Sequence, residues 1–190
     1  MGRQLEFDRA EAVALAVEAF WFNGYQALPA LELADAMGVA KSSLYNTFGS
    51  KKTLFLEALD HYAQAQRARV VRMTQKADIQ SELRRLLLDV ACDNSAGRGC
   101  LLVNTATELG IRDLDVQHHV KAGLNGMIQA FEEVIRAGQA NGEIGPHIVP
   151  AERAFIFVAG ISGLRVLAKS GFTGKQLQPI IENLLSGIGG

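Results

Sequence analysis

Apolar residues recur every three to four positions along nearly the whole chain, and no segment alternates with period two. That pattern restricts the fold to packed helices. Val13, Ala16, Val17, Phe20 and Trp21 share one face of a first helix. Asp8, with Glu11 three residues later, resembles a capping box at its start, Phe7 is placed to staple it, and Asn23-Gly24 supplies its stop. Phe55, Leu59 and Tyr62 mark a second face, and Leu83, Leu86, Leu87 and Val90 another. A long amphipathic helix carries Val120, Leu124, Met127, Ile128, Phe131, Val134 and Ile135 and ends near Asn141-Gly142. Pro150 suits the first position of the next helix, which Gly171 closes. Leu177, Ile180, Ile181, Leu184 and Leu185 then line the last one. The expected class is all-α.

The bulk composition removes several function classes. A chain of 190 residues can bury a substantial core in one or two small domains. With 48% hydrophobic and 21% charged residues it is neither disordered nor fibrous. The longest apolar stretch, from Phe155 to Ala168, contains Arg165 and falls short of the roughly 20 residues that cross a bilayer. The first residues lack the apolar core of a secretory signal. Cys92 and Cys100 make no metal-ligand pattern and read as reduced thiols. A cytoplasmic protein with no cofactor and no membrane partner is expected. No nucleophile elbow, phosphate-cradling glycine loop or paired catalytic carboxylates point to an enzyme. The net charge is −1, so any nucleic-acid contact must rest on a local patch.

Such a patch is legible between Leu31 and Lys52. The apolar-periodic segment Leu31 to Met37 stops at Gly38, which can take the left-handed conformation of a tight inter-helix turn. A second short helix is expected from about Lys41 to Thr47. Ala34 lets the two cross closely, while Leu33, Met37, Val39 and Leu44 seal a small core against the first helix. This is the physics of a helix-turn-helix, whose second helix enters the major groove. Its outer face presents Lys41, Ser42, Ser43, Tyr45, Asn46 and Thr47. Between Ala36 and Phe55 the only charges are Lys41, Lys51 and Lys52, all positive.

The runs Gly24-Tyr25, Leu33-Ala34-Asp35-Ala36-Met37-Gly38-Val39 and Lys41-Ser42-Ser43-Leu44-Tyr45-Asn46-Thr47-Phe48-Gly49-Ser50-Lys51 resemble the DNA-binding domain of tetracycline-repressor-like (TetR/AcrR) regulators. The match spans roughly residues 8 to 60. The resemblance implies that Lys41 and Tyr45 touch the DNA backbone, that the neighbouring positions read bases, and that Lys51 holds a phosphate. The last role agrees with local physics, because Ser50 can cap a helix whose positive end attracts phosphate. Leu28, Pro29, Leu31 and Ala40 depart from the family's polar pattern around the second and third helices. The resemblance also implies a DNA-binding domain over residues 1–50 and a helical ligand-binding and dimerisation domain over residues 51–190.

Within the second domain, Gly99-Cys100-Leu101-Leu102-Val103-Asn104 and the stretch Gly138 to Ile144 are similar to one large subgroup of these regulators, some of which sense electrophiles or oxidants through a cysteine. Cys100 should lie at a helix start near Arg98, an arrangement that favours the thiolate; the alternative reading is a small buried hydrophobe. Asn104 and Glu108 either contact a ligand or bond across helices. Met127, Phe131, Phe157 and Ile161 are candidate walls of an apolar pocket, with core packing as the alternative. His118-His119 point in different directions on a helix and do not make a metal site. The last two helices are too apolar all round for one exposed face, so a second copy of the chain is expected to cover them.

The expected function is a repressor that binds a palindromic double-stranded DNA operator as a homodimer and is released by a small-molecule inducer or by cysteine modification. The alternative is a helical small-molecule-binding protein whose DNA head is weakened. On the sequence alone, Lys51→Ala should weaken binding to every duplex and flatten its salt dependence, as measured by titration at several ionic strengths.

Overall fold

The computed structural model describes residues 8–92 and 97–188, so Phe7 lies outside the described residues. The described residues form nine α-helices and one 3-10 turn, with no strand. They divide into two compact units.

The first unit comprises residues up to 63 together with residues 101–123. It holds α1 (Arg9–Asn23), α2 (Ala30–Ala36), α3 (Lys41–Phe48), the start of α4 (Lys51–Val71), α6 (Leu101–Leu109) and the start of α7 (Leu114–Ala140). Asp8 starts α1 as expected, its carboxylate accepting from the N–H groups of Ala10 and Glu11 at 2.7 and 3.2 Å. Gly24 ends it at φ +79°.

α2 and α3 contain seven and eight residues, too few to be stable as isolated helices, and depend on what they bury. Leu33, Ala34 and Leu44 are wholly inaccessible, with Met37 and Phe48 nearly so. The turn between them is the expected one. Gly38 sits at φ +66°, and the Val39 N–H reaches the Ala34 carbonyl at 3.0 Å. Val39 itself is only half-buried, so it flanks the small core and does not seal it. Pro29 takes the cap position before α2 and not its first turn. α4 is α-helical to Val71, after which residues 72–75 tighten into a 3-10 turn that buries Met73.

The second unit comprises residues 64–100 and 124–188. Here α5 (Ile79–Ala91), α8 (Pro150–Lys169) and α9 (Gly174–Ser186) pack on one another and on the distal part of α7. Asp78 caps α5 through the Ser81 N–H at 2.8 Å, and Pro150 opens α8 as expected. Thr173 and Gln176 form a capping box on α9. The stretch Gly138 to Ile144 comprises the last residues of α7 and the tight turn after it, in which the Glu143 and Ile144 N–H groups donate back to the Gly138 carbonyl. Gln139 donates its amide to the carbonyls of Gly145 and Ile148 at 3.0 and 2.8 Å, which holds the α7–α8 connection.

Two substitutions test the helix-turn-helix as a packed object. Gly38→Ala meets no atom within 4 Å and should cost about 1–2 kcal/mol from backbone conformation alone. Leu33→Ala removes a wholly buried side chain and should cost about 2–5 kcal/mol. Denaturant unfolding checks both, with an unchanged slope showing that stability alone has moved.

Candidate nucleic-acid interface

Leu44 and Phe48 point into the first unit, so the register of α3 sends the intervening residues outward. Lys41, Ser42, Tyr45 and Asn46 are exposed, and Ser43 and Thr47 lie partly exposed at the flanks. The six residues expected to face DNA therefore share one accessible helix surface. Ala40 caps α3 without a side-chain hydrogen bond, which leaves the first N–H groups of the helix uncovered by any side chain of the cap. The far end is fixed by Arg9. Its guanidinium donates to the Thr47 carbonyl at 3.1 Å and to Glu57 at 2.6 Å, and lies 4.6 Å from the Phe48 ring centre. A cation at a helix C-terminus complements the helix dipole there.

The positive patch is smaller than the sequence suggests. Lys52 donates to both Asp113 and Asp115, at 2.9 and 2.7 Å. Lys51 folds back so that its ammonium donates to the Tyr25 carbonyl at 2.5 Å and lies 4.5 Å from the Tyr25 ring centre. Of the three lysines only Lys41 stands exposed. Ser50 does cap α4, accepting from the Thr53 N–H at 3.0 Å.

The residues expected at a ligand site divide between the two units. Phe131 and Phe157 stack at 5.6 Å in the core of the second, wholly buried, with Met127 and Ile161 partly buried against the same cluster. Cys100 belongs to that unit, half-buried and directly before α6. The residue before it is tied down by Arg165, which donates to the Gly99 carbonyl at 2.9 Å. Asn104 and Glu108 stand on α6 in the first unit. There Glu108 is engaged with main chain: its carboxylate accepts from the N–H groups of Tyr25 and Gln26 at 3.2 and 2.7 Å. His119 pairs with Asp60 at 2.8 Å and its ring lies 6.0 Å from that of His118. Among the described residues no three His, Cys, Asp or Glu side chains gather to hold a metal ion, and no helix is long and apolar enough to cross a membrane.

Sequence reasoning missed Arg9, Asp113, Asp115 and Arg165, because each acts on a partner distant in the chain and periodicity carries no information about such partners. The charge of the α6–α7 turn shows in its titration. The Lys52 ammonium beside it holds the Asp113 carboxyl below the usual range, helped by the Val116 N–H. Asp113, then Asp115, hold Lys52 above the usual amine range. Burial lowers Lys51, with the Glu108 charge opposing. Burial likewise raises Tyr25.

The Asp113–Lys52 pair therefore stabilises the fold fully above the ordinary Asp pKa of about 4 and below the ordinary Lys pKa of about 10.4. Its contribution is lost as pH falls through the depressed Asp113 value or rises through the elevated Lys52 value. A carboxyl-carbon NMR titration should place the Asp113 midpoint below that of an ordinary aspartate, and Lys52→Met should move it upward. A midpoint unmoved by that substitution would contradict the pairing.

Residues 12–58 match the family described as bacterial regulatory proteins, tetR family, and residues 82–178 match the tetracyclin repressor-like C-terminal domain. The chain is 28% identical to the HTH-type transcriptional repressor ComR of Escherichia coli over 97% of this chain and 90% of ComR. It is 29% identical to the HTH-type regulator YezE of Bacillus subtilis over 75% of this chain and 78% of YezE. Among solved structures, a cysteine-substituted variant of the TetR-family regulator CifR, complexed with a 26-base-pair operator duplex, superposes with a TM-score of 0.78. That pair is 30% identical and covers 98% of this chain and 100% of the CifR chain. Reduced NemR of Escherichia coli, 20% identical, shares the fold at a TM-score of 0.83, with 95% of this chain and 96% of NemR covered. With a helix-turn-helix match at one end and a C-terminal domain match across half its length, the chain belongs to the tetracycline-repressor family of bacterial regulatory proteins.

Proposed function

We propose that this protein is a transcriptional repressor that binds a palindromic operator as a homodimer and leaves it when its helical C-terminal domain takes up a small molecule or is modified at Cys100. The observation that carries the reading is the polar outer face of α3 standing above the buried Leu44 and Phe48. Lys41 and Tyr45 are assigned to the DNA backbone, and Ser42, Ser43, Asn46 and Thr47 to base edges and adjoining phosphates. The start of α4, at Ser50 and Lys51, faces a phosphate through its helix N-terminus. Support comes from ComR, a transcriptional repressor, and from CifR, solved with an operator duplex.

The dimer reading rests on α8. Phe155, Ile156 and Val166 are 62%, 46% and 49% exposed, and Ala159 and Gly163 also face solvent. Phe155, Ala159, Gly163 and Val166 follow helical spacing, so they form one apolar stripe with small residues that admit a closely packed helix. A second copy, with α9 flanking α8, buries that stripe and sets two recognition helices about 34–36 Å apart.

The effector half of the reading uses the second unit, where Met127 and Ile161 border the Phe131–Phe157 stack and Cys100 adjoins α6. An effector acts by its differential affinity for the DNA-competent and DNA-incompetent states, and a coupling of about 1–3 kcal/mol suffices for a modest shift.

Selection of bound DNA from a random duplex pool should enrich a palindrome. Asn46→Ala should then cost about 1–3 kcal/mol on that duplex and relax preference at one position of each half-site. Phe155→Glu should yield a monomer by light scattering and lose most operator affinity. Failure to enrich any sequence, with only salt-labile residual binding, would favour a ligand-binding protein with a weakened DNA head.

A further inference from the structure

Glu108 lies on α6, outside the helix-turn-helix, yet its carboxylate is bonded to the turn that joins α1 to α2. We infer that Glu108 is a positioning residue for DNA binding: it fixes the α1–α2 turn from one side while Lys51 fixes it from the other. The inference rests on the proposed DNA-binding function.

The geometry is a charge-assisted clamp around Tyr25. On one side the Tyr25 and Gln26 N–H groups, which follow the end of α1, donate to the Glu108 carboxylate. On the other side the Tyr25 carbonyl accepts from the Lys51 ammonium. An anion thus faces the donor end of the turn and a cation faces its acceptor end, the favourable sense for both. The Tyr25 ring is held as well, 4.6 Å from Phe55 and beneath the Lys51 ammonium. Gly24 is part of the design. Its φ of +79° suits glycine, and a Cβ there would come within 3.2 Å of a Glu108 carboxylate oxygen.

A second grip lies close in sequence, where Asp113 and Asp115 hold Lys52 on the same first turn of α4. The turn at Tyr25 leads directly into Leu28, Pro29 and α2, and α2 packs on α3. Fixing Tyr25 to the start of α4 therefore fixes the orientation of the recognition helix relative to the adjacent α4 N-terminus. Lys51 is consumed inside this clamp, so its side chain serves DNA binding by position and not as a phosphate counter-charge. That differs from the expectation drawn on sequence alone.

The two roles separate in salt dependence, because only a side chain that neutralises a phosphate contributes to the salt slope. The test uses the full-length protein and the selected duplex, titrated at several ionic strengths, with Glu108→Ala, Glu108→Gln, Lys51→Met and the Glu108→Ala/Lys51→Met double variant. Thermal unfolding establishes that each variant is folded.

Glu108→Ala and Lys51→Met should each weaken binding roughly tenfold with an unchanged salt slope, and the double variant should bind no worse than the weaker single one. Glu108→Gln, which keeps an acceptor oxygen, should recover part of the loss. Hydrogen exchange should accelerate at the Tyr25 and Gln26 amides of Glu108→Ala and stay unchanged in α5, α8 and α9.

Three results would overturn the inference: wild-type affinity in folded Glu108→Ala, losses that multiply in the double variant, or a salt slope flattened by Lys51→Met. If the wild-type protein selects no duplex, the DNA-binding reading itself falls. That outcome is distinct, since wild type and Glu108→Ala are then alike in lacking affinity and not alike in full affinity.

Discussion

Helices of seven and eight residues do not hold their shape in water, so the DNA-binding head exists only through what lies beneath it. Leu33 and Leu44 are wholly buried, and Phe20 and Phe55, 4.8 Å apart edge to face, are buried with them. The same burial determines function. Once Leu44 and Phe48 are committed inward, helical geometry sends Lys41, Ser42, Tyr45 and Asn46 outward, and no further instruction is needed to create a recognition face. Gly38 and Gly49, at φ +66° and +76°, let the chain enter and leave α3 within two short turns.

Charge in the first unit is spent mainly on architecture. Arg9, Lys51 and Lys52 all lie near α3 in the chain or in space, yet each is engaged within the unit by Glu57, Tyr25 or the pair Asp113 and Asp115. What remains at the candidate interface is a polar helix face with one exposed lysine. Such a surface draws less on counterion release and more on hydrogen bonds to phosphates and base edges than a strongly basic patch would. It also reconciles a net charge of −1 with a nucleic-acid partner.

What the sequence discloses and what it conceals follow one physical line. Asp8, Gly24, Gly38, Pro150 and Gly171 mark helix ends through local conformational preference, and all five mark them in the structure. The outward face of α3 and the inward Phe131 and Phe157 are readable because helical period assigns a residue to a face. A face, however, does not name a partner. Glu108 is 83 residues from Tyr25 in the chain, and Lys52 is 61 from Asp113, so nothing in either local pattern distinguishes a ligand-binding carboxylate from a structural one. Lys51 illustrates the same limit, since its position is that of a phosphate anchor and its side chain turns inward. The 3-10 turn after Val71 is hidden for another reason: its residues suit either helix type, and the burial of Met73 accompanies the tightening.

The central claim is that the outer face of α3, on a head braced from behind, is the surface that meets DNA. Hydrogen exchange of the full-length protein with and without its selected duplex tests this directly. Protection on binding should concentrate in residues 41–51, with α5 unaffected. Protection that leaves residues 41–51 unchanged, at a duplex concentration that saturates the protein, would contradict the account.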